Sequence, residues 1–279
     1  MIPHTIGKPH PYDSVAVRQM AENCRRDLPW FTPCGEHEGH LIIVGGGPSM
    51  KTRTDVIRQR QVNGATILAL NGARKFLVDE GITPDIVLLV DPSPVTAGFV
   101  GDEPDDSIYL IASICHPSVL DRLAAFKIVY LWHPEIPPEV KNQMAILKDY
   151  PEKPSALIGG GNTGALRALP IGFLLGYRTV HYYGIDSSYA RGEADHAYAK
   201  HDGPEPDAIT CLFQGRPYCC SPWMVRQADE FKFYYQQYVH LGCTIHVHGE
   251  GLIPDIWKAL RQRQRQGTVM PIEKPMTVH

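Results

Sequence analysis

Residues 41–50 read Leu-Ile-Ile-Val-Gly-Gly-Gly-Pro-Ser-Met. Four consecutive apolar residues, ended by three glycines and a Pro-Ser turn, are too few for a helix and read as a strand buried on both faces. Outward from it, the pattern predicts a helix near 51–63, a strand at 66–70 (TILAL), a helix at 73–81 and a strand at 85–90 (DIVLLV). A strand at 108–113 (IYLIAS), a short helix at 119–126 and a strand at 127–132 (KIVYLW) continue the series. Strands of Val, Ile and Leu separated by helices imply a parallel sheet covered on both sides, the α/β class.

Past Pro134 the alternation pauses. EIPPEVKNQMAILKDYPEKP is a proline-bounded connection, expected to hold one helix and to be irregular or lid-like. A strand ALIGGG (156–161), an apolar helix (163–177) and the strand TVHYYGI (179–185) follow, with Pro170 predicting a kink or broken turn. Residues 187–221 are polar and read as a long loop or small subdomain forming a lid; a helix at 221–242 and a strand at 243–249 close the series. The expected organisation is a helical and loop extension over 1–39, a doubly wound, mostly parallel, Rossmann-like domain over 40–255 with helices on both faces, and a basic tail over 256–279.

Composition narrows the function classes. The chain has 279 residues, 43% hydrophobic and 20% charged, with a net charge of -3, so no global positive field would hold it on a polyanion. No apolar run approaches the roughly 20 residues that cross a bilayer, and the first residues lack a basic then apolar leader pattern. Seven cysteines are odd in number and sparse for a disulfide scaffold, which points to reduced thiols and a cytoplasmic protein without a membrane partner.

In open α/β sheets ligands bind beyond the carboxyl ends of the strands. Small, hydrogen-bonding or ionisable residues stand at each such end: Gly45, Gly46, Gly47, Pro48 and Ser49; Asn71; Asp91; Ser113 and His116; His133; Gly159, Gly160, Gly161, Asn162 and Thr163; and Asp186, Ser187 and Ser188. The two glycine loops could bring backbone N–H groups to an anion, although neither is a Walker or complete GxGxxG motif; tight strand–helix packing explains the glycines equally well. Asn71 offers an amide suited to a base or ribose, or simply a turn. Asp91 and Asp186 could hold magnesium against a diphosphate, orient a sugar hydroxyl, or cap a helix. The segment 184–198, GIDSSYARGEADHAY, gathers Asp186, Tyr189, Asp195, His196 and Tyr198, with His196 suited to acid–base work and Tyr189 or Tyr198 to steadying a leaving phosphate.

Other patterns carry less. Cys34-x-x-His37-x-x-His40 and Cys219-Cys220 lack partners for a zinc site, so no metal site is expected. His246 and His248 alternate on one strand and share a face, as buried, hydrogen-bonded imidazoles would. Phe231, Phe233, Tyr234, Tyr235 and Tyr238 recur at helical spacing and read as core; Arg261, Arg263 and Arg265 read as a solvated tail.

Four separated motifs resemble one family: LIIVGGGPSM, LNGARKFLVDEGITPDIVLLVDPSP, GGGNTGALRALPIGFLLGYRTVHYYGIDSSYARGEADHAY and SPWMVRQADEFKFYYQQYVHLGCTIHVHGEGLIP. Together, over roughly 40–255, they are similar to the MptE-like domain family (domain of unknown function 115), which includes archaeal hydroxymethylpterin diphosphokinases and bacterial motility accessory factors, and more distantly to the sialyltransferases of glycosyltransferase family forty-two. The resemblance implies that Gly45 to Ser49 and Asn71 contact a nucleotide, that Gly161, Asn162, Thr163 and Gly164 approach its phosphate, and that Tyr189 and His196 occupy the place of phosphate-binding tyrosines. Two departures matter. The sialyltransferase catalytic histidine is replaced by Cys219-Cys220-Ser221-Pro222, leaving His196 or His116 to supply a base. The Asp-x-Asp metal box of pyrophosphokinases is reduced to Asp91 within Val90-Asp91-Pro92-Ser93.

The resulting expectation is a nucleotide-dependent transferase, a glycosyltransferase with a CMP-sugar or nucleoside diphosphate sugar as donor. Asp186, Tyr189, His196 and His116 are its candidate catalytic residues. Its acceptor is left open among a glycan, a protein hydroxyl and a modified nucleobase, and so is assembly into a homo-oligomer. The alternatives are an ATP-dependent pyrophosphokinase, for which magnesium would be needed, and a nucleotide-binding protein without catalysis.

Overall fold

The computed structural model describes residues 12–135, 148, 157–192, 194–197, 208–266 and 277–278. In chain order the strands are β1 (His40–Val44), β2 (Thr66–Leu70), β3 (Ile86–Leu89), β4 (Ile108–Ala112), β5 (Val129–Trp132), β6 (Thr179–Tyr183), β7 (Ile209–Phe213), β8 (Arg216–Cys220), β9 (Thr244–Val247) and β10 (Thr277–Val278). The α-helices described are α1 (Tyr12–Asn23), α2 (Thr54–Val62), α3 (Ala73–Asp79), α4 (Pro117–Arg122), α5 (Gly164–Leu174), α6 (Pro222–His240) and α7 (Leu252–Arg265). The chain divides into two compact units, Met1–Phe31 with Leu89–Gly159, and Thr32–Leu88 with Gly160–His279.

The larger unit carries a parallel sheet in the order β3-β2-β1-β6-β9. The run that opened the sequence reading forms its middle: Leu41, Ile42, Ile43 and Val44 are fully buried, pairing with β2 on one side and β6 on the other. Successive strands move outward from β1 in opposite directions, so the strand order reverses between β1 and β6. That reversal opens a crevice at the carboxyl ends of both strands. On one face Ile42, Val44, Ile67 and Ala69 pack with Ile57 and Leu77 of the crossover helices, as an α/β core requires. On the other, α5 approaches so closely at Gly172 that a Cβ there would strike Leu41.

Two expectations are revised. ALIGGG is not a strand among the described residues; Ile158 makes a single bridge to Pro134, and Gly160 and Gly161 take positive φ angles that break an extended run. The polar stretch 187–221 contains an antiparallel hairpin, β7 with β8, closed by Gln214 and Gly215, both at positive φ, as a tight two-residue turn demands. Pro170 stands inside α5, which continues four residues beyond it. Much of the expected connection after Pro134, with Tyr198 and parts of the lid and tail, lies outside the described residues.

The smaller unit contains the parallel pair β4–β5 with α1 and α4. Asn23 at the end of α1 anchors that helix by donating its amide to the carbonyls of Ser113 (3.0 Å) and Cys115 (2.8 Å). Among the described residues, no helix is long and apolar enough to cross a membrane.

Candidate functional site

The crevice of the larger unit is an open cleft to which the β1 loop (Gly45 to Pro48), Leu70–Asn71, the start of α5 (Thr163 to Ala165), the β6 loop (Gly184 to Ser188), Asp195–His196 and the first turns of α6 (Trp223, Met224, Gln227) all contribute. The strand-end positions after β1, β2 and β6 therefore meet in one place.

Asp186 ties two of these loops together. The Ser49 N–H donates to its Oδ2 at 2.7 Å and the Ser49 hydroxyl to its Oδ1 at 2.6 Å, so both carboxylate oxygens are occupied. The side chain is buried, and burial pushes its pKa up to about 6, against the two Ser49 bonds and with the help of the Glu250 charge. A Cβ on Gly47 would lie 2.6 Å from Oδ2, and one on Gly45 would strike the Gly184 carbonyl oxygen. Close packing is thus one reason for these glycines.

Their N–H groups are also largely used. Gly45 donates to Tyr183 (2.8 Å), Gly47 to Gly184 (2.8 Å) and Met50 to Gly47 (3.1 Å); among the described residues, Gly46 is the member of the loop whose N–H has no partner. Of the second glycine loop, Thr163 and Gly164 line the cleft while Gly160, Gly161 and Asn162 do not. Asn162 donates its N–H to Glu230 (2.8 Å), and Thr163 caps α5 by accepting from Leu166. Gly164 and Ala165, in the first turn of this helix, line the cleft at the helix's positive end, where an anion is favoured.

His196 and Asp195 stand on the same wall, with Nδ1 2.8 Å from the Asp195 carboxylate. A carboxylate so placed fixes the orientation and tautomer of the imidazole. Asp195 is a role the sequence reading missed, because neighbours in sequence seldom pair in this way on a regular element. Trp223 and Gln227 were missed as well, since aromatics on α6 read as core, which Phe231 and Tyr235 indeed are. Their signal was position: they follow the Ser221-Pro222 helix start directly after a strand.

Other candidates fall elsewhere. Asp91 and His116 belong to the smaller unit, where Asp91 accepts the Ser93 N–H (2.8 Å) and His116 caps α4 by accepting from Ser118. Tyr189 pairs with Cys219 at the hairpin and does not line the cleft; its hydroxyl is pushed up chiefly by burial. Among the described residues no group of three or more His, Cys, Asp or Glu could hold a metal. His246 and His248 belong to a ladder with His181 on one sheet face, in which His181 Nδ1 and His248 Nε2 lie 3.0 Å apart and Arg60 donates to Tyr183 (2.9 Å).

Comparison with known proteins bears on this arrangement. The family model described as 6-hydroxymethylpterin diphosphokinase MptE-like matches residues 18–192. No curated protein matches the chain. Among solved structures, the Maf glycosyltransferase from Magnetospirillum magneticum AMB-1 is similar with a TM-score of 0.60 and 15% identity, over 91% of this chain and 42% of the other. A mammalian sialyltransferase gives a TM-score of 0.40 and 12% identity over 88% and 81%. At such identities the likeness to the Maf enzyme is one of fold, and this chain spans less than half of its length. The family match extends over more than half of the sequence and agrees with the parallel sheet and its crevice, and the chain belongs to the MptE-like family.

Proposed function

We propose that the protein is a nucleotide-dependent transferase, and specifically a glycosyltransferase with a nucleotide-sugar donor, either a CMP-sugar or a nucleoside diphosphate sugar. The Asp195–His196 pair in the cleft is the observation that carries this reading. His196 would take the proton of an acceptor hydroxyl as the bond to the sugar forms, with Asp195 stabilising the imidazolium. The N–H groups of Gly46, Gly164 and Ala165 would receive the phosphate of the donor and of the departing nucleotide. The Maf glycosyltransferase, which shares the fold, supports the choice of chemistry by analogy.

The family's description favours a second reading, a pyrophosphokinase acting on a pterin alcohol. Its magnesium would ask for uncommitted carboxylates near a triphosphate. In this cleft Asp186 has both oxygens bound to Ser49 and Asp195 holds His196, and Asp91 is not among the lining residues. Among the described residues the carboxylates of the cleft do not fit the ion, and the transferase without a metal is preferred.

A thermal-shift series separates the readings, because a ligand of the native state raises Tm according to its concentration over Kd. A shift with CMP or a nucleoside diphosphate, unchanged by EDTA, is the expected result. A shift requiring ATP with magnesium would replace this reading by the pyrophosphokinase, and binding without turnover of any nucleotide-sugar would leave a binding protein.

A further inference from the structure

We propose that the cleft receives a planar heteroaromatic ring, its face on the indole of Trp223 and its edge read by the amides of Gln227 and Asn71. This inference rests on the reading of the cleft as a nucleotide site and names the residues that would choose among rings.

Trp223 is the most exposed of the four tryptophans, at 39%, and it lines the cleft, whereas Phe231 and Tyr235 of the same helix are 1% exposed. An indole left open inside a concave site, and not on a convex surface, offers a stacking face for a flat ligand. Gln227 lies four residues further along α6 and therefore on the same helix face. It is 5% exposed and lines the cleft. Asn71 also lines the cleft, and its Oδ1 is buried without a partner; so is the hydroxyl of Ser187, a residue 6% exposed.

Buried polar groups are almost always paired, so unpaired ones gathered on one cavity mark bonds that an occupant completes. A side-chain amide presents a donor beside an acceptor, the pattern carried by the edge of a purine, a pyrimidine or a pterin. Trp223, Gln227 and Asn71 are uncharged, which suits a neutral ring whose phosphate lies against backbone N–H groups. The sequence pointed to Asn71 for a base or ribose but not to Trp223 or Gln227, since tryptophan and glutamine in a long amphipathic helix carry no signal of their own.

The test is calorimetric titration of the full chain with CMP, UMP, AMP, GMP and 6-hydroxymethylpterin, and with ribose 5-phosphate and pyrophosphate as ligands without a ring. At least one ring-bearing ligand is expected to bind tenfold or more tightly than ribose 5-phosphate. Trp223→Ala should weaken it by about five- to hundredfold, Trp223→Phe should retain most of the affinity, and Gln227→Leu should change the order of preference among rings. Circular dichroism of each variant checks that the fold is kept. Tight binding of the pterin alone would support the ring site and assign it to the acceptor; tight binding of a nucleotide would assign it to the donor. Equal affinity with and without a ring, or unchanged affinity in Trp223→Ala, would overturn the inference while leaving the nucleotide reading in place. Binding of none of these ligands would overturn both.

Discussion

Two polar clusters of the larger unit sit on the same parallel sheet. On one sheet face, His181, His246 and His248 stack on one another, with centroids 4.6 Å apart for His181–His246 and 5.3 Å for His181–His248. Tyr183 stacks on His248 at 4.4 Å, and Trp257 closes the edge by donating its ring N–H to Ile245 (2.9 Å). No buried side-chain nitrogen or oxygen of these residues lacks a partner. At the carboxyl ends of the strands, the cleft leaves Asn71 Oδ1 and Ser187 Oγ unpaired, and both residues sit at positive φ (44° and 50°). Polar groups that pair with one another build the fold; polar groups held in strained backbone without partners await something else.

The largest effect expected concerns turnover. If His196 is the base, His196→Ala should reduce nucleotide-sugar turnover about a hundredfold or more, with nucleotide affinity nearly unchanged. Asp195→Asn should lower the rate, because the ring loses the carboxylate that fixes its orientation and tautomer. Steady-state kinetics of the two variants checks both; unaltered rates would return the pair to a purely structural role.

The ladder should appear in stability instead. Burial, reinforced by the positive charge of Arg60, lowers His181 to about 3 and His248 to about 4, and burial lowers His246. Below the ordinary imidazole value the unfolded chain takes up protons that the folded ladder refuses. Its stabilising contribution is therefore complete above about pH 6.5 and is lost as pH falls toward 4, by up to about 1.4 kcal/mol per pH unit for each imidazole. Urea denaturation from pH 8 to 4 measures the slope, and His248→Gln should make it shallower.

Asp186 runs the other way. With its pKa raised to about 6, the folded state holds the proton more tightly than the unfolded state, so this group's contribution falls as pH rises from about 4 to 6. At pH 8, Asp186→Asn should be no less stable than the natural chain. A loss above about 1 kcal/mol would mean that the two Ser49 bonds outweigh the penalty of burying the charge.

The contrast also explains what could be read in advance. Apolar runs such as Leu41 to Val44 announce buried strands because hydrophobic burial depends on residue type, and the crevice follows from where the strands end. Asn71, Asp186 and Thr163 were reachable by that route, and His196 through the dense run of polar side chains at 184–198. Asp195, Trp223 and Gln227 were not, because their role depends on which loop or helix face turns toward the crevice. The hairpin 209–220 escaped because Gln214-Gly215 replaces the usual Asn-Gly signal, and its strands bear polar residues.

The smallest effect on stability is expected at Ser187, and there the comparison is sharpest. Its hydroxyl is buried and unpaired, so Ser187→Ala removes a desolvated group without orphaning another and should change stability by less than about 0.5 kcal/mol. Arg60→Leu in the ladder, by contrast, leaves Tyr183 and His181 without their cation and should destabilise by about 1–3 kcal/mol. If the hydroxyl is kept for a ligand, Ser187→Ala will weaken nucleotide binding although the protein without ligand is untouched, and calorimetry beside urea denaturation reads the two quantities separately. A Ser187→Ala protein that is destabilised yet binds normally would show that the strained residue serves the loop alone.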